Sequence, residues 1–201
     1  MEFRTEDDVT LRGDLVVPAD ARAAAIICHP HPQYGGTRHD QVVGALFAAL
    51  PTVGVAALRF DFRSDFDDGR GERLDAAAAL DRLAGRCPDV PLLATGYSFG
   101  AMIALSVAEP VTSGSDPDVT GCVAVAAPLA MGAPLAPACP TLVVVPAHDQ
   151  FSPPAATRPI VAGWTDATLI EVEAADHFLH GRTAAVSDAV AAWVEDLLSR
   201  R

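Results

Sequence analysis

Hydrophobic and polar positions alternate over residues 9–17 and stop at Pro18, the pattern of an antiparallel strand with one face in water. Residues 2–4 are its candidate partner at the sheet edge. The character changes from Ala23. Short, continuous apolar runs at 24–28, 53–60, 90–95, 122–126, 141–145 and 168–172 alternate with longer segments of helical periodicity at 41–50, 72–84, 99–108, 154–163 and 183–198. Strands apolar on both sides need helices on both faces. The order therefore predicts an α/β fold, a doubly wound and mostly parallel sheet with an antiparallel N-terminal edge strand. Residues 112–118, rich in Ser, Gly, Pro and Asp, read as an exposed turn within this pattern and not as a linker.

Between the runs at 122–126 and 141–145 lie only about a dozen residues, mostly Ala, Pro, Leu, Met and Gly. That is too little chain for a cap domain. It predicts an open, shallow cleft at the carboxyl edge of the strands, with Leu129 and Met131 as candidate apolar lining and Tyr34 as a further candidate substrate contact.

Composition adjusts this picture in three ways. A length of 201 residues suits one domain, 1–201. A hydrophobic content of 50% raises the question of a membrane span, and residues 121–147 hold no charge, but Pro128, Pro134, Pro137, Pro140 and Pro146 break any single helix there. The N-terminus, with Glu2, Glu6, Asp7 and Asp8, lacks the basic-then-apolar order of a secretory signal, so a cytoplasmic location is expected. With 14 Lys and Arg against 26 Asp and Glu, the formal charge of −12 repels nucleic acid and anionic membrane surfaces. A small-molecule partner is expected. A monomer or a homodimer both fit, since an N-terminal edge strand or the apolar loop around Met131 could pair. Cys28, Cys87, Cys122 and Cys139 are too dispersed for a zinc site, and a chain of this size needs no disulfides; buried thiols are expected.

The chemistry concentrates at strand ends. Gly96-Tyr97-Ser98-Phe99-Gly100 joins a strand-like run to a helical one, placing Ser98 on a turn that can present a nucleophile. Its bland role is to cap the following helix. A serine hydroxyl needs an imidazole to take its proton, and the imidazole needs a carboxylate to hold its tautomer. His177, after the run at 168–172, is the candidate base, with His180 as competitor. Asp149, in Pro146-Ala147-His148-Asp149, is the candidate acid, with Asp176 as alternative, although Asp176 would have to fold back on its own neighbour. An oxyanion needs two N–H donors. Phe99 follows the serine, and His31 is the donor left in His29-Pro30-His31-Pro32, where prolines have none. Reading His29, His31 and His39 as metal ligands is weaker, because the prolines constrain the loop and no acid completes the set.

Arg59, Asp61 and Arg63 end another strand, where they either brace the loops as a charged network or touch substrate. Glu72 and Asp75 suit a helix start, and Trp164 and Trp193 suit helix packing.

These residues together resemble the α/β-hydrolase superfamily, and within it a small, lidless bacterial branch of serine hydrolases related to dienelactone hydrolase. Cys28-His29-Pro30-His31-Pro32-Gln33-Tyr34-Gly35-Gly36-Thr37 resembles that branch's oxyanion loop, Arg59-Phe60-Asp61-Phe62-Arg63 its next strand end, and Asp176-His177-Phe178 its histidine segment. The resemblance implies Ser98 as nucleophile, Asp149 as acid, His177 as base, no cofactor, and hydrolysis of carboxylic esters with small to medium acyl groups. A thioesterase or amidase using the same triad, or an inactive hydrolase-fold scaffold, are the alternatives. Ser64-Asp65-Phe66-Asp67-Asp68 is shorter and more acidic than the branch's glycine-containing loop. Serine at position 98, where dienelactone hydrolases carry cysteine, argues against that chemistry.

Overall fold

The structure, a computed structural model, describes residues 1–109, 118–132 and 136–200. The predicted turn at 112–118 lies outside the described residues except for Asp118, as does Pro134. An eight-stranded mixed sheet runs β1 (Glu2–Arg4), β2 (Thr10–Val16), β3 (Ala23–Cys28), β4 (Val55–Phe60), β5 (Leu92–Tyr97), β6 (Val119–Val125), β7 (Thr141–His148) and β8 (Ala167–Asp176) in chain order. In space the order is β1-β2-β4-β3-β5-β6-β7-β8. β2 pairs antiparallel with β1 and β4, and the remaining pairs are parallel. This is the expected mixed sheet with its antiparallel N-terminal edge.

β3 shows why the central runs read as unbroken. All six of its residues are buried, Ala24, Ile26 and Cys28 on one face and Ala23, Ala25 and Ile27 on the other. Helices α2 (Arg70–Arg86), α3 (Phe99–Val107) and α4 (Pro154–Val161) cover the first face. Helices α1 (Gln41–Ala49) and α5 (Thr183–Ser199) cover the second. Asp40 starts α1, its carboxylate accepting from the amides of Val42 and Val43 at 2.8 and 3.4 Å.

Element ends differ from the periodicity in instructive ways. The run at 53–60 loses its first two positions, because Val53 closes a short 3₁₀ turn and Gly54 sits at φ 76°, so the strand starts at Val55. The expected 72–84 helix begins two residues earlier, where Glu72 reaches back to the amides of Gly69 at 2.9 Å and Asp67 at 3.1 Å. The last two strands run past their apolar stretches. β7 extends to His148 and β8 to Asp176, and these two residues pair beyond a shift of register that follows Pro146. Backbone pairing continues there beyond the predicted apolar runs.

The connection from β6 to β7 holds a 3₁₀ turn at Leu129–Met131, and the described residues form no cap or lid domain. All four cysteines are buried as thiols. Burial pushes the Cys28 and Cys122 thiols far above the ordinary range. Among the described residues, no helix is long and apolar enough to cross a membrane.

Candidate active site

Ser98 follows β5 directly and opens α3 at φ 56° and ψ −119°. A serine at positive φ is strained, and here the surroundings impose it. Its amide donates to Val125 O at 2.9 Å at the end of β6. The two flanking glycines are steric requirements. A Cβ on Gly96 would stand 2.0 Å from Gly100 O, and one on Gly100 would stand 2.2 Å from Cys28 O and 2.4 Å from His29 O. The strand-to-helix turn closes this tightly only without side chains at both positions.

The pairing of β7 and β8, with its shift after Pro146, brings the other two residues together. His148 and Asp176 are paired, so Asp149 and His177, each the next residue, leave the same sheet edge side by side. His177 Nδ1 lies 2.9 Å from Asp149 Oδ2, and His177 Nε2 lies 2.9 Å from Ser98 Oγ. Asp149 and His177 are 3% and 5% exposed, so water scarcely competes for these bonds. The second Asp149 oxygen accepts from the amides of Phe151 at 2.8 Å and Ser152 at 3.0 Å, which fixes the carboxylate plane. Tyr97, one residue before the serine, donates its hydroxyl to His177 O at 3.0 Å. The result is a Ser–His–Asp arrangement of the kind that supports serine-hydrolase activity.

The competing residues stand elsewhere. Asp176 Oδ1 accepts from the Phe178 amide at 3.1 Å and caps that turn. His180 is exposed, against the Phe178 ring.

In the loop after β3, the His31 ring lies against Tyr34, Phe66 and Phe99, at 4.8, 4.5 and 4.9 Å between centroids. A Cβ on Gly36 would meet Pro30 O at 2.0 Å, so the loop folds tightly on itself. His29 is engaged at both nitrogens. Its Nε2 accepts from the Phe62 amide at 3.1 Å, which leaves the proton on Nδ1 to donate to Pro30 O at 2.6 Å. Burial holds its pKa below the ordinary histidine range, consistent with that neutral tautomer. Burial likewise lowers His31.

Of the candidate lining residues, Tyr34 and Met131 are 88% and 74% exposed, whereas Leu129 is 1% exposed. Leu129 belongs to the core beneath the 3₁₀ turn and does not line an open cleft. The charged residues divide into two groups. Arg59 and Arg38 both reach Asp14, at 3.0 and 3.2 Å, and Arg38 also binds Asp61. Arg63 makes three hydrogen bonds to Asp75 and two to Asp7, joining the β1–β2 turn to α2. The Arg63 guanidinium holds the Asp7 carboxyl down to about 2, while burial pushes Asp75 up. Asp75 is therefore a buried ion-pair partner and not an exposed complement to the helix dipole. Arg38, Asp14 and Asp7 carry no local pattern that would have marked them.

No protein-family model matches the chain. An uncharacterized protein of Rickettsia prowazekii is 40% identical over 90 residues, which is 41% of this chain and 38% of that protein's length. A serine hydrolase homologue from Coxiella burnetii has a TM-score of 0.85 at 27% identity, over 95% of this chain and 94% of that one. A serine hydrolase without lid from Xanthomonas campestris has a TM-score of 0.83 at 26% identity, over 94% and 90%. A dienelactone hydrolase from Anabaena variabilis has a TM-score of 0.79 at 20% identity, over 96% and 94%, a likeness of fold alone.

Proposed function

We propose that this chain, which has the α/β-hydrolase superfamily fold in its lidless form, related to dienelactone-hydrolase-type enzymes, is a serine carboxylesterase for small to medium acyl esters. The observation that supports this most is the continuous relay from Ser98 Oγ through His177 to Asp149, with both bonds at 2.9 Å and the serine on a strained turn. His177 Nε2 takes the Ser98 proton as Oγ bonds to the ester carbonyl carbon, and the carbonyl oxygen becomes an oxyanion. The amides of Phe99 and His31 are the donors for that oxyanion: the first is free of α3's own ladder at the helix start, and the second lies between two prolines. As the tetrahedral species collapses, the ester C–O bond breaks and His177 returns the proton to the departing alcohol. Water then repeats the sequence on the acyl-serine, releasing acid and free Ser98.

Residues 1–201 act in this reading as one domain. The charge of −12 disfavours polyanions and favours small-molecule substrates. The test is hydrolysis of short-chain p-nitrophenyl esters together with fluorophosphonate labelling. Ser98→Ala is expected to lower kcat by about 10⁴-fold or more and to abolish labelling. Wild-type protein that neither turns over esters nor labels at Ser98 would be a scaffold and would overturn the proposal.

A further inference from the structure

Large hydrophobic side chains exposed to water are few in this structure, and two of them touch the imidazole of His177. Phe151 is 44% exposed with its ring centroid 4.6 Å from that of His177, and Phe178 is 45% exposed at 5.6 Å. Both rings stand steeply to the imidazole, at 67° and 89°.

The backbone that carries each ring is tied down. Phe151 donates its amide to the Asp149 oxygen that does not hold His177. Phe178 donates its amide to Asp176 and accepts at its carbonyl from Gln41 Nε2, at 3.1 and 3.0 Å. The next residue, Leu179, is fully buried with φ 56°, a conformation that a bulky residue adopts only under constraint. The fold thus spends backbone hydrogen bonds and local strain to hold two phenyl groups in water beside the catalytic base. A packing role does not account for that, since each residue keeps nearly half of its surface in water.

We infer that Phe151 and Phe178 form the subsite for the alcohol portion of the substrate and select esters of aromatic alcohols. The inference rests on the serine-esterase reading above and deepens it. In that reaction His177 Nε2 must reach the oxygen of the departing alcohol, so whatever that oxygen carries lies beside the imidazole. Of the phenyl and phenol rings against the imidazole, Tyr97 at 5.9 Å is buried, and Phe151 and Phe178 are the exposed ones. A phenyl or benzyl group there gains edge-to-face contacts and removes the exposed faces from water, which a methyl group cannot do.

Benzyl, cyclohexylmethyl and methyl acetates test the assignment, because they share an acyl group and leave as unactivated primary alcohols. The wild-type protein is expected to prefer benzyl to methyl acetate in kcat/KM by at least about tenfold, with cyclohexylmethyl between. In Phe151→Ala and in Phe178→Ala the benzyl-to-methyl ratio is expected to fall by about five- to tenfold. Fluorophosphonate labelling of each variant verifies that its site is folded. A wild-type ratio near one, or an undiminished ratio in both labelled variants, would overturn the inference while leaving the esterase standing. Absence of turnover on all three esters with Ser98 unlabelled would overturn both.

Discussion

Replacing Gly100 by alanine adds one methyl group at a point where two backbones touch. The new Cβ would lie 2.2 Å from Cys28 O and 2.4 Å from His29 O, and neither oxygen can rotate away as a side chain would. Carbon and carbonyl oxygen tolerate approach to about 3.3 Å, so the start of α3 and the loop after β3 must separate by about 1 Å. These are the two segments that bear the Phe99 and His31 amides. A displacement of that size costs about 10²-fold in rate, and overpacking of this kind costs about 1–3 kcal/mol of stability. On the proposed oxyanion role of those amides the loss belongs mainly in kcat, because the oxyanion forms only as the reaction proceeds. Gly44→Ala is the matched control. Its Cβ would meet nothing within 4 Å in the middle of α1. It is expected to gain about 0.5–1 kcal/mol, up to about 4 °C in Tm, at unchanged kcat/KM. Steady-state kinetics on a short p-nitrophenyl ester and thermal unfolding, run on both variants, make the comparison. Wild-type kcat/KM in Gly100→Ala would refute the claim that this contact sets the oxyanion geometry.

Arg63→Ala removes the partner of Asp75, which is fully buried, and is expected to destabilise the fold by about 3–5 kcal/mol in urea denaturation; a loss under about 1 kcal/mol would show that the carboxylate finds other compensation. His29 is buried neutral with a lowered pKa, so below about pH 6.5 the unfolded chain binds a proton that the folded chain resists, and stability falls as pH drops through that window. His29→Gln is expected to show a shallower fall in the urea midpoint between about pH 7 and 5, and identical slopes in the two proteins would count against the neutral tautomer.

The local patterns that marked Ser98, Asp149 and His177 were legible because each depends on near neighbours: two glycines around a serine, and a polar residue just after an apolar run. Those three side chains stand within hydrogen-bonding distance of one another. Less legible was how they get there. The predicted runs stop at 145 and 172, whereas β7 and β8 continue by backbone pairing, past an irregularity between Pro146 and His148, to His148 and Asp176, and that pairing sets Asp149 beside His177. The Leu129 assignment failed for a related reason. An apolar residue in a short loop has no periodicity to say which way it faces, and this one faces the core.

The order of apolar runs by itself determined the layered α/β architecture, because strands buried on both faces and helices buried on one leave distinct periods in any chain. Tertiary structure alone decided that Arg38 joins Asp14 to Asp61, that Arg63 spans from Asp7 to Asp75, and that Phe151 and Phe178 flank one imidazole. Periodicity reports whether a residue is buried. Which distant residue it meets depends on strand order and register, and those are settled only when the whole sheet assembles.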